Sequence, residues 1–184
     1  MKQPMISRES LIAEIEQGFR PDFVFFWQAD GTSEIYRECL SQWFPAPFEV
    51  DGITYPTAEH YMMAEKARIF GDDGIRNAIL RTHTPETAKK LGRMVRGFDT
   101  GVWEKHRFGV VVRGNEAKFR QNEDLKELLL ETGDRILVEA SPYDQIWGVG
   151  LSEDDTRIFD PRQWRGLNLI GFALMVVRNS LMQE

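Results

Sequence analysis

The sequence has a single cysteine, Cys39, and no long run of apolar residues. One cysteine cannot form an intramolecular disulfide or a cysteine-based zinc site, which fits a reducing cytoplasm. The longest apolar stretch, Leu167 to Val177, contains Asn168 and Gly171 and is too short to cross a bilayer. No signal peptide is visible. We therefore expect a cytoplasmic protein that does not bind membranes.

Motifs of several common enzyme classes are also missing. His60, His83 and His106 lie at no metal-ligand spacing, so no metal site is expected. No serine lies in a G-x-S-x-G motif and Cys39 has no evident partner, so a serine or cysteine nucleophile is unsupported. There is no P-loop, and Gly148-Val149-Gly150 lacks the third glycine and the helix of a dinucleotide-binding fingerprint.

Positive charge is in short supply, because 29 acidic residues face 23 basic ones and the net charge is −6. Such a chain is not built to hold a polyanion, so we expect no stable nucleic-acid binding, although a local pocket for one phosphate remains compatible. The 184 residues, 42% hydrophobic and 28% charged, suit one globular domain with a sizeable core.

Helices outnumber strands in the predicted order of elements, and the two types do not alternate as βαβ units. Phe23–Trp27 is predicted as a central strand, followed by a turn at Asp30-Gly31 and a short strand over Glu34–Cys39. The other strands are the hairpin Phe48–Tyr55, with an Asp-Gly turn, and Arg135–Ala140. Predicted helices cover 7–19, 57–67, 75–81, 85–94, 102–120, 123–132 and 168–181. These elements predict a compact, mostly helical α+β domain with a small sheet.

The segment TAEHYMMAEKA, residues 57–67, predicts a helix with a marked start. Thr57 can cap the first turn, where the carboxylate of Glu59 interacts favourably with the helix dipole. Glu59 and Lys66 share a face with Met62 and Met63, about 10 Å apart along the axis. The two charged side chains could therefore reach opposite ends of one small ligand. The alternative is that both charges only rim a buried apolar stripe.

A second group of candidates lies in the loop SPYDQIWGVG, which follows a predicted strand. Asp144 precedes Trp147 by three residues, in a position where sites are often built. The alternative for Asp144 is an Asx hydrogen bond that pins a turn. Beyond this loop, the polar segment 152–165 has only Trp164 as a large anchor, and we expect it to be mobile.

Together these segments contain two carboxylates and an amine, and aromatic side chains that include Trp103. An acid–base pair beside stacking aromatics suits hydrolysis of a sugar–base bond, because carboxylates stabilise a cationic anomeric carbon and an acid protonates the departing base. Nearby arginines could contact a phosphate or could simply be solvated, and spacing selects none of Arg93, Arg96, Arg107 and Arg113.

The chain resembles the YbiA-like, or NADAR, family over nearly its whole length, from about Phe23 to Leu181. The resemblance is carried by LSQWFPAPFEVDGITYPTAEHYMMAEKARIF, AKKLGR, RGNEAKFRQN, LLLETGDRILVEASPYDQIWGVGL and NLIGFALMVVR, in that order. It implies an N-glycosidase domain over residues 23–184, without metal or redox cofactor. Residues 1–22, with the helix 7–19, are then an extension outside the shared core.

The resemblance also implies roles for individual residues. Glu59 matches the essential glutamate of the [ST]-x-E-H-Y helix, and Lys66 matches its closing lysine, an amine nucleophile at the sugar. Asp144 joins Glu59 and Lys66 as the third catalytic residue. The remaining matches suggest substrate-binding residues, namely Phe26 and Trp27 as an aromatic pair, Trp103 and Arg107 in the W-x-x-x-[RK] segment, and Trp147 and Gly148 in the D-x-x-W-G loop.

Two kinds of substrate are compatible with the resemblance. Members of the YbiA type hydrolyse ribosylated aminopyrimidine phosphates, early riboflavin intermediates, and release ribose 5-phosphate. Other members remove ADP-ribose from guanine in nucleic acid. We prefer the small molecule because a polymer substrate would favour a basic face. A non-catalytic module that binds ADP-ribose-like nucleotides is the competing class, but it should not need Glu59, Lys66 and Asp144 together.

Overall fold

Helices dominate the part of the chain that the structure describes. This computed structural model describes residues 6–29 and 35–183. The helices are α1 (Arg8–Glu16), α2 (Ile35–Glu38), α3 (Ala58–Ile69), α4 (Asp73–Arg81), α5 (Pro85–Gly92), α6 (Thr100–Gln121), α7 (Glu123–Glu131) and α8 (Leu169–Leu181). The strands are β1 (Phe23–Phe26), β2 (Phe48–Val50), β3 (Ile53–Tyr55) and β4 (Ile136–Glu139). The predicted α+β class, mostly helical with little sheet, is confirmed.

The chain divides into two compact units. The first contains the residues up to Ser41 and those from Asp124 onward, and the second runs from Gln42 to Glu123. In the first unit β1 and β4 pair in parallel, with Phe23 opposite Ile136. β1 is buried on both faces, as predicted. However, β4 is its only strand partner among the described residues, so β1 is not a central strand.

A single buried asparagine connects β4 to α8. The Asn168 amide donates to the Leu137 carbonyl over 2.9 Å and accepts from the Glu139 backbone N–H over 2.9 Å. The Asn168 backbone is left-handed, with φ of 55°. One turn later, Gly171 lets α8 approach β4 closely, because a Cβ there would overlap the Leu137 carbonyl oxygen. A side chain thus hydrogen-bonds the strand backbone and fixes where α8 begins.

The strand predicted over Glu34–Cys39 is wrong. The segment after residue 34 forms the short helix α2 rather than a strand, because the Cys39 N–H bonds to the Ile35 carbonyl four residues back. The predicted strand start at Glu34 and the turn at Asp30-Gly31 lie outside the described residues.

The prediction that Trp164 is the only large anchor of 152–165 is wrong, and the mobility of this segment stays a prediction. The segment forms two 3₁₀ helices, Thr156–Phe159 and Pro161–Gln163, each started by an aspartate cap. It also has a second anchor, because Ile158 is as fully buried as Trp164, and the Trp164 indole N–H donates to the Ile158 carbonyl over 2.7 Å.

In the second unit, α3 packs against α4, α5 and α6. Glycines allow two of these contacts, since a Cβ at Gly92 would overlap Met63 and one at Gly114 would overlap the Tyr61 ring. The predicted hairpin is confirmed as β2 and β3, with Asp51 and Gly52 both at positive φ in its turn. This unit therefore surrounds α3, the helix that carries the candidate catalytic residues.

Helix α1 is part of the first unit. The Arg8 guanidinium donates to the Trp164 carbonyl over 2.9 Å, and Leu11 is fully buried. The proposed boundary between an extension over 1–22 and a domain over 23–184 stays a prediction. Within residues 6–29 and 35–183, no helix combines the length and apolar character that crossing a membrane requires.

Replacing Asn168 should measurably destabilise the protein. Asn168→Ala removes both side-chain hydrogen bonds and leaves alanine, which tolerates left-handed backbone less well than asparagine, at this position, so the free energy of unfolding should fall by about 2–4 kcal/mol. Asn168→Gly loses the same bonds without the backbone strain and should cost about 1 kcal/mol less. Urea unfolding followed by circular dichroism measures both values. An alanine variant as stable as the wild type would contradict this role.

Candidate active site

Glu59 is held at the start of α3 by capping. Thr57 adopts extended backbone and its hydroxyl accepts from the His60 N–H, so the predicted cap is confirmed. Glu59 follows in the first turn, and only 3% of its surface is exposed. Its backbone N–H donates to the Gln42 carbonyl over 3.0 Å. The backbone of Glu59 is therefore fixed, and its side chain is buried.

The Gln42 backbone is itself fixed by a buried pair of side-chain amides. Gln42 donates to the Asn115 amide oxygen over 2.9 Å, and Asn115 donates back over 3.0 Å. Asn115 also donates to the Val111 carbonyl within α6. The pair thus ties the segment that binds Glu59 to α6. Sequence reasoning missed it, since nothing local indicates that two amides 73 positions apart will meet.

Lys66 lies two turns after Glu59, with its ammonium among aromatic rings. Nζ donates to the Gly92 carbonyl over 2.8 Å and lies 4.3 Å from the centre of the Phe98 ring. The Trp103 ring centre is 6.0 Å away. Trp103 was predicted from sequence and is buried, whereas Phe98, 43% exposed, was not predicted. Phe98 reaches Lys66 from the turn before α6, which no pattern in the sequence indicates.

The surroundings of Lys66 lower the pKa of its amine. Burial is the largest cause, because it disfavours the charged form, and the nearby positive charge of Arg93 adds to it. The carboxylate of Glu59 opposes both effects. A lowered pKa increases the fraction of neutral amine at neutral pH, which is the form that can attack carbon. The arrangement therefore suits either a nucleophile or a positioned cation.

Arg107 lies one turn after Trp103 on α6. Its guanidinium forms a 3.5 Å ion pair with Glu104, and only 12% of the side chain is exposed. Of the other arginines considered, Arg96 binds Asp72 and Arg113 binds Asp51. Arg107, Arg96 and Arg113 are thus all engaged in ion pairs, and Arg107 has the least exposed side chain of the three.

In the first unit, Asp144 forms the Asx hydrogen bonds that the sequence left as an alternative. Its Oδ1 accepts from the backbone N–H groups of Ile146, over 2.9 Å, and Trp147, over 2.7 Å. Among the described residues Oδ2 forms no hydrogen bond, so it remains available to a ligand. Asp144 thus shapes its loop with one oxygen and presents the other.

The loop around Asp144 is tied to the start of α8. Leu169 and Ile170 donate their backbone N–H groups to the carbonyls of Ile146 and Trp147. Gly148 is required where it lies, because a Cβ would come within 2.8 Å of the Glu139 carbonyl oxygen. Trp147 is half-buried on this fixed loop.

The remaining predicted residues lie at the end of β1. Phe26 is buried in the core, whereas Trp27 is half-buried with its ring 6.0 Å from that of Tyr143. The structure thus brings Glu59, Lys66 and Trp103 together in the second unit. It brings Asp144, Trp147 and Gly148 together in one loop of the first. Within the described ranges, no three His, Cys, Asp or Glu side chains are grouped so that they could hold a metal ion.

The structure is thus that of an α+β protein in which one helix carries a buried carboxylate and an amine beside aromatic rings. Groups of this kind can take part in acid–base or nucleophilic chemistry. Residues 25–182 match the sequence model of the NADAR domain. N-glycosidase R617 of Acanthamoeba polyphaga mimivirus is 42% identical over 166 residues, which cover 88% of this chain and 97% of that protein. N-glycosidase YbiA of Escherichia coli (strain K12) is 34% identical over 153 residues, covering 83% of this chain and 86% of YbiA.

The solved structures agree with these sequence matches. The NMR structure of the E. coli protein YbiA superposes with a TM-score of 0.72 at 29% identity and covers 90% of this chain and 88% of YbiA. The chain therefore belongs to the NADAR domain family. The resemblance recognised from the sequence motifs is confirmed, while the roles of individual residues stay predictions.

Removing the charge of Arg93 should raise the pKa of Lys66. In Arg93→Gln the amine no longer has that neighbouring cation, so its neutral form should appear at higher pH. The pH at which Lys66 reacts half-maximally with acetic anhydride, followed by peptide mass spectrometry, measures this shift. Arg81→Gln, the same charge change at an exposed site on α4, is the control. An identical midpoint in both variants would contradict the electrostatic coupling.

Proposed function

We propose that this N-glycosidase hydrolyses ribosylated aminopyrimidine phosphates, the early intermediates of riboflavin biosynthesis, and releases ribose 5-phosphate. The enzyme class rests on the curated N-glycosidases that this chain resembles. The observation that carries the chemistry is the face of α3, where Lys66 lies beside Phe98 and Trp103 and interacts electrostatically with Glu59. A binding module would not need an amine with a lowered pKa next to a buried carboxylate.

In the proposed reaction the neutral amine of Lys66 attacks the anomeric carbon of the ring-opened sugar. A bond forms between Nζ and that carbon, and the bond from the carbon to the base nitrogen breaks. The departing base takes a proton from a carboxylic acid, Glu59 or Asp144. Water then adds to the resulting imine, and the bond to Nζ breaks, which returns the amine and frees ribose 5-phosphate.

The family resemblance assigns further aromatic and polar residues to substrate binding. Trp103, Trp147 and the pair Phe26 and Trp27 supply ring faces for the base and sugar, and Arg107 supplies a cation for the phosphate. Gly148 allows the backbone of the Asp144 loop to pass close to β4. Neither a metal nor a redox cofactor has a part in this reaction.

The net charge of −6 favours a small substrate over nucleic acid, whose binding depends on neutralised phosphates. A cytoplasmic location belongs to the same proposal, because the single cysteine, Cys39, fits a reducing compartment.

The alternative substrate is ADP-ribosylated guanine in DNA. If the enzyme releases ADP-ribose from that DNA and no ribose 5-phosphate from the ribosylated pyrimidine, the proposed substrate is wrong.

Glu59→Gln should lower turnover without unfolding the protein. The amide keeps the shape of the side chain but cannot exchange a proton or stabilise a cation, so kcat for ribose 5-phosphate release should fall about 100-fold. The thermal midpoint should stay within about 2 °C, as for a change of little effect on stability. Glu65→Gln, on the same helix but bound to Arg68 through both oxygens, is the matched control and should retain activity. Near-normal turnover of Glu59→Gln would refute the assignment.

Borohydride added during turnover should trap Lys66. If Nζ forms an imine with the sugar, reduction fixes the sugar phosphate on the peptide that contains Lys66, which mass spectrometry detects. The peptide with Lys89 and Lys90 serves as the control and should remain unmodified. Lys66→Arg cannot form the imine and should be inactive. An active Lys66→Arg variant with no trapped adduct would leave Lys66 as a binding cation, and water activated by a carboxylate would then be the nucleophile.

A further inference from the structure

The first unit contains a cavity of about 210 Å³ at the carboxyl ends of β1 and β4. Its lining includes Phe26, Trp27, Arg37, Ser152, Glu153 and Asp154. The carboxyl ends of parallel strands are a common place for ligands. The volume is below the range of about 300–1,000 Å³ that holds drug-sized ligands, so the cavity suits one ring rather than a whole nucleotide.

One wall of this cavity is aromatic. Phe26 is almost fully buried and forms a rigid floor, while Trp27 is half-buried at the end of β1. Tyr143, which is not among the lining residues, lies 6.0 Å from Trp27, ring centre to ring centre, and 86% of its surface is exposed. A flat heterocycle can stack on the exposed face of Trp27.

The polar side of the cavity carries more negative than positive charge. The Arg37 guanidinium donates to the Phe25 carbonyl over 2.6 Å and forms an ion pair with Oε2 of Glu153. Its charge is therefore already balanced by one carboxylate. Asp154 is exposed and makes no hydrogen bond or ion pair with any residue in 6–29 or 35–183. The lining groups together bear one net negative charge, which disfavours a phosphate.

Carboxylate oxygens only accept hydrogen bonds, so the complementary ligand is a ring that carries donors. Exocyclic amines on a pyrimidine are such donors. We propose that this cavity binds the base of the substrate, and that Asp154, with Glu153, accepts hydrogen bonds from its exocyclic amines. This inference rests on the proposed function and adds the residues that select the base.

The inference is tested first by binding, independently of turnover. Calorimetric titration should show that the wild type binds a free diaminopyrimidinone about tenfold more tightly than the pyrimidinedione in which a carbonyl oxygen replaces one amine, the scale of a hydrogen bond to a charged group. Asp154→Asn should lose most of this preference, and so should Glu153→Gln. Asp124→Asn makes the same charge change at an exposed residue that does not line the cavity and should keep it.

Hydrolysis of the corresponding ribosylated phosphates then separates the two proposals. If the wild type releases ribose 5-phosphate from neither substrate, the proposed function fails, while the titrations still decide the role of the cavity. If the wild type hydrolyses both substrates, its preference for the substrate with the additional amine should appear in KM rather than in kcat. Asp154→Asn and Glu153→Gln should lose that difference in KM.

Equal binding of the two bases by the wild type, or an unchanged preference in both cavity variants, would overturn the inference. The inference would also be overturned if inorganic phosphate displaced the base and bound more tightly to Asp154→Asn than to the wild type. The cavity would then be an anion site.

Discussion

Close packing around α3 is the constraint on which the second unit depends. Nine of the twelve residues of this helix are buried, so helices and the hairpin must enclose it on nearly all sides. Gly92 and Gly114 make this possible, because a larger residue at either place would overlap Met63 or Tyr61. The same packing buries Glu59 and half-buries Lys66, and this burial is the largest cause of the lowered pKa of the Lys66 amine. Packing and chemistry therefore have one origin in this unit.

The first unit uses hydrogen bonds where the second uses close packing. Its sheet has only two strands among the described residues, and Asn168 satisfies backbone groups of β4 from the start of α8. The loop of Asp144 is in turn held by backbone N–H groups of α8. A loop with so many fixed backbone bonds can present Trp147 and one oxygen of Asp144 in a constant geometry. That rigidity is what pre-organised binding requires.

The two units carry different kinds of group. The second holds the carboxylate and amine suited to breaking a bond, and the first holds aromatic faces, free carboxylate oxygens and a small cavity. Proteins of one family can keep the carboxylate and amine and vary the groups around the cavity. Changes in polar residues at a cavity alter which ligand binds without altering the bond that is broken. The proposed role of Asp154 makes substrate choice a property of a segment that lies outside the candidate catalytic helix.

The sequence alone determined the class of fold, the start of α3, the hairpin turn and the family, because caps, turns and ordered motifs are local in the chain. It also indicated that Glu59 and Lys66 share a helix face, which follows from the helical repeat. It left Asp144 between a catalytic and a structural role. It predicted a strand where Ile35–Glu38 is a helix, and it missed Ile158 as a second anchor of 152–165, because both depend on distant contacts. Only the tertiary structure showed the Gln42 and Asn115 amide pair, Phe98 beside Lys66 and the cavity at β1 and β4. Each of these joins residues far apart in the chain, and such contacts are decided by packing rather than by local preference.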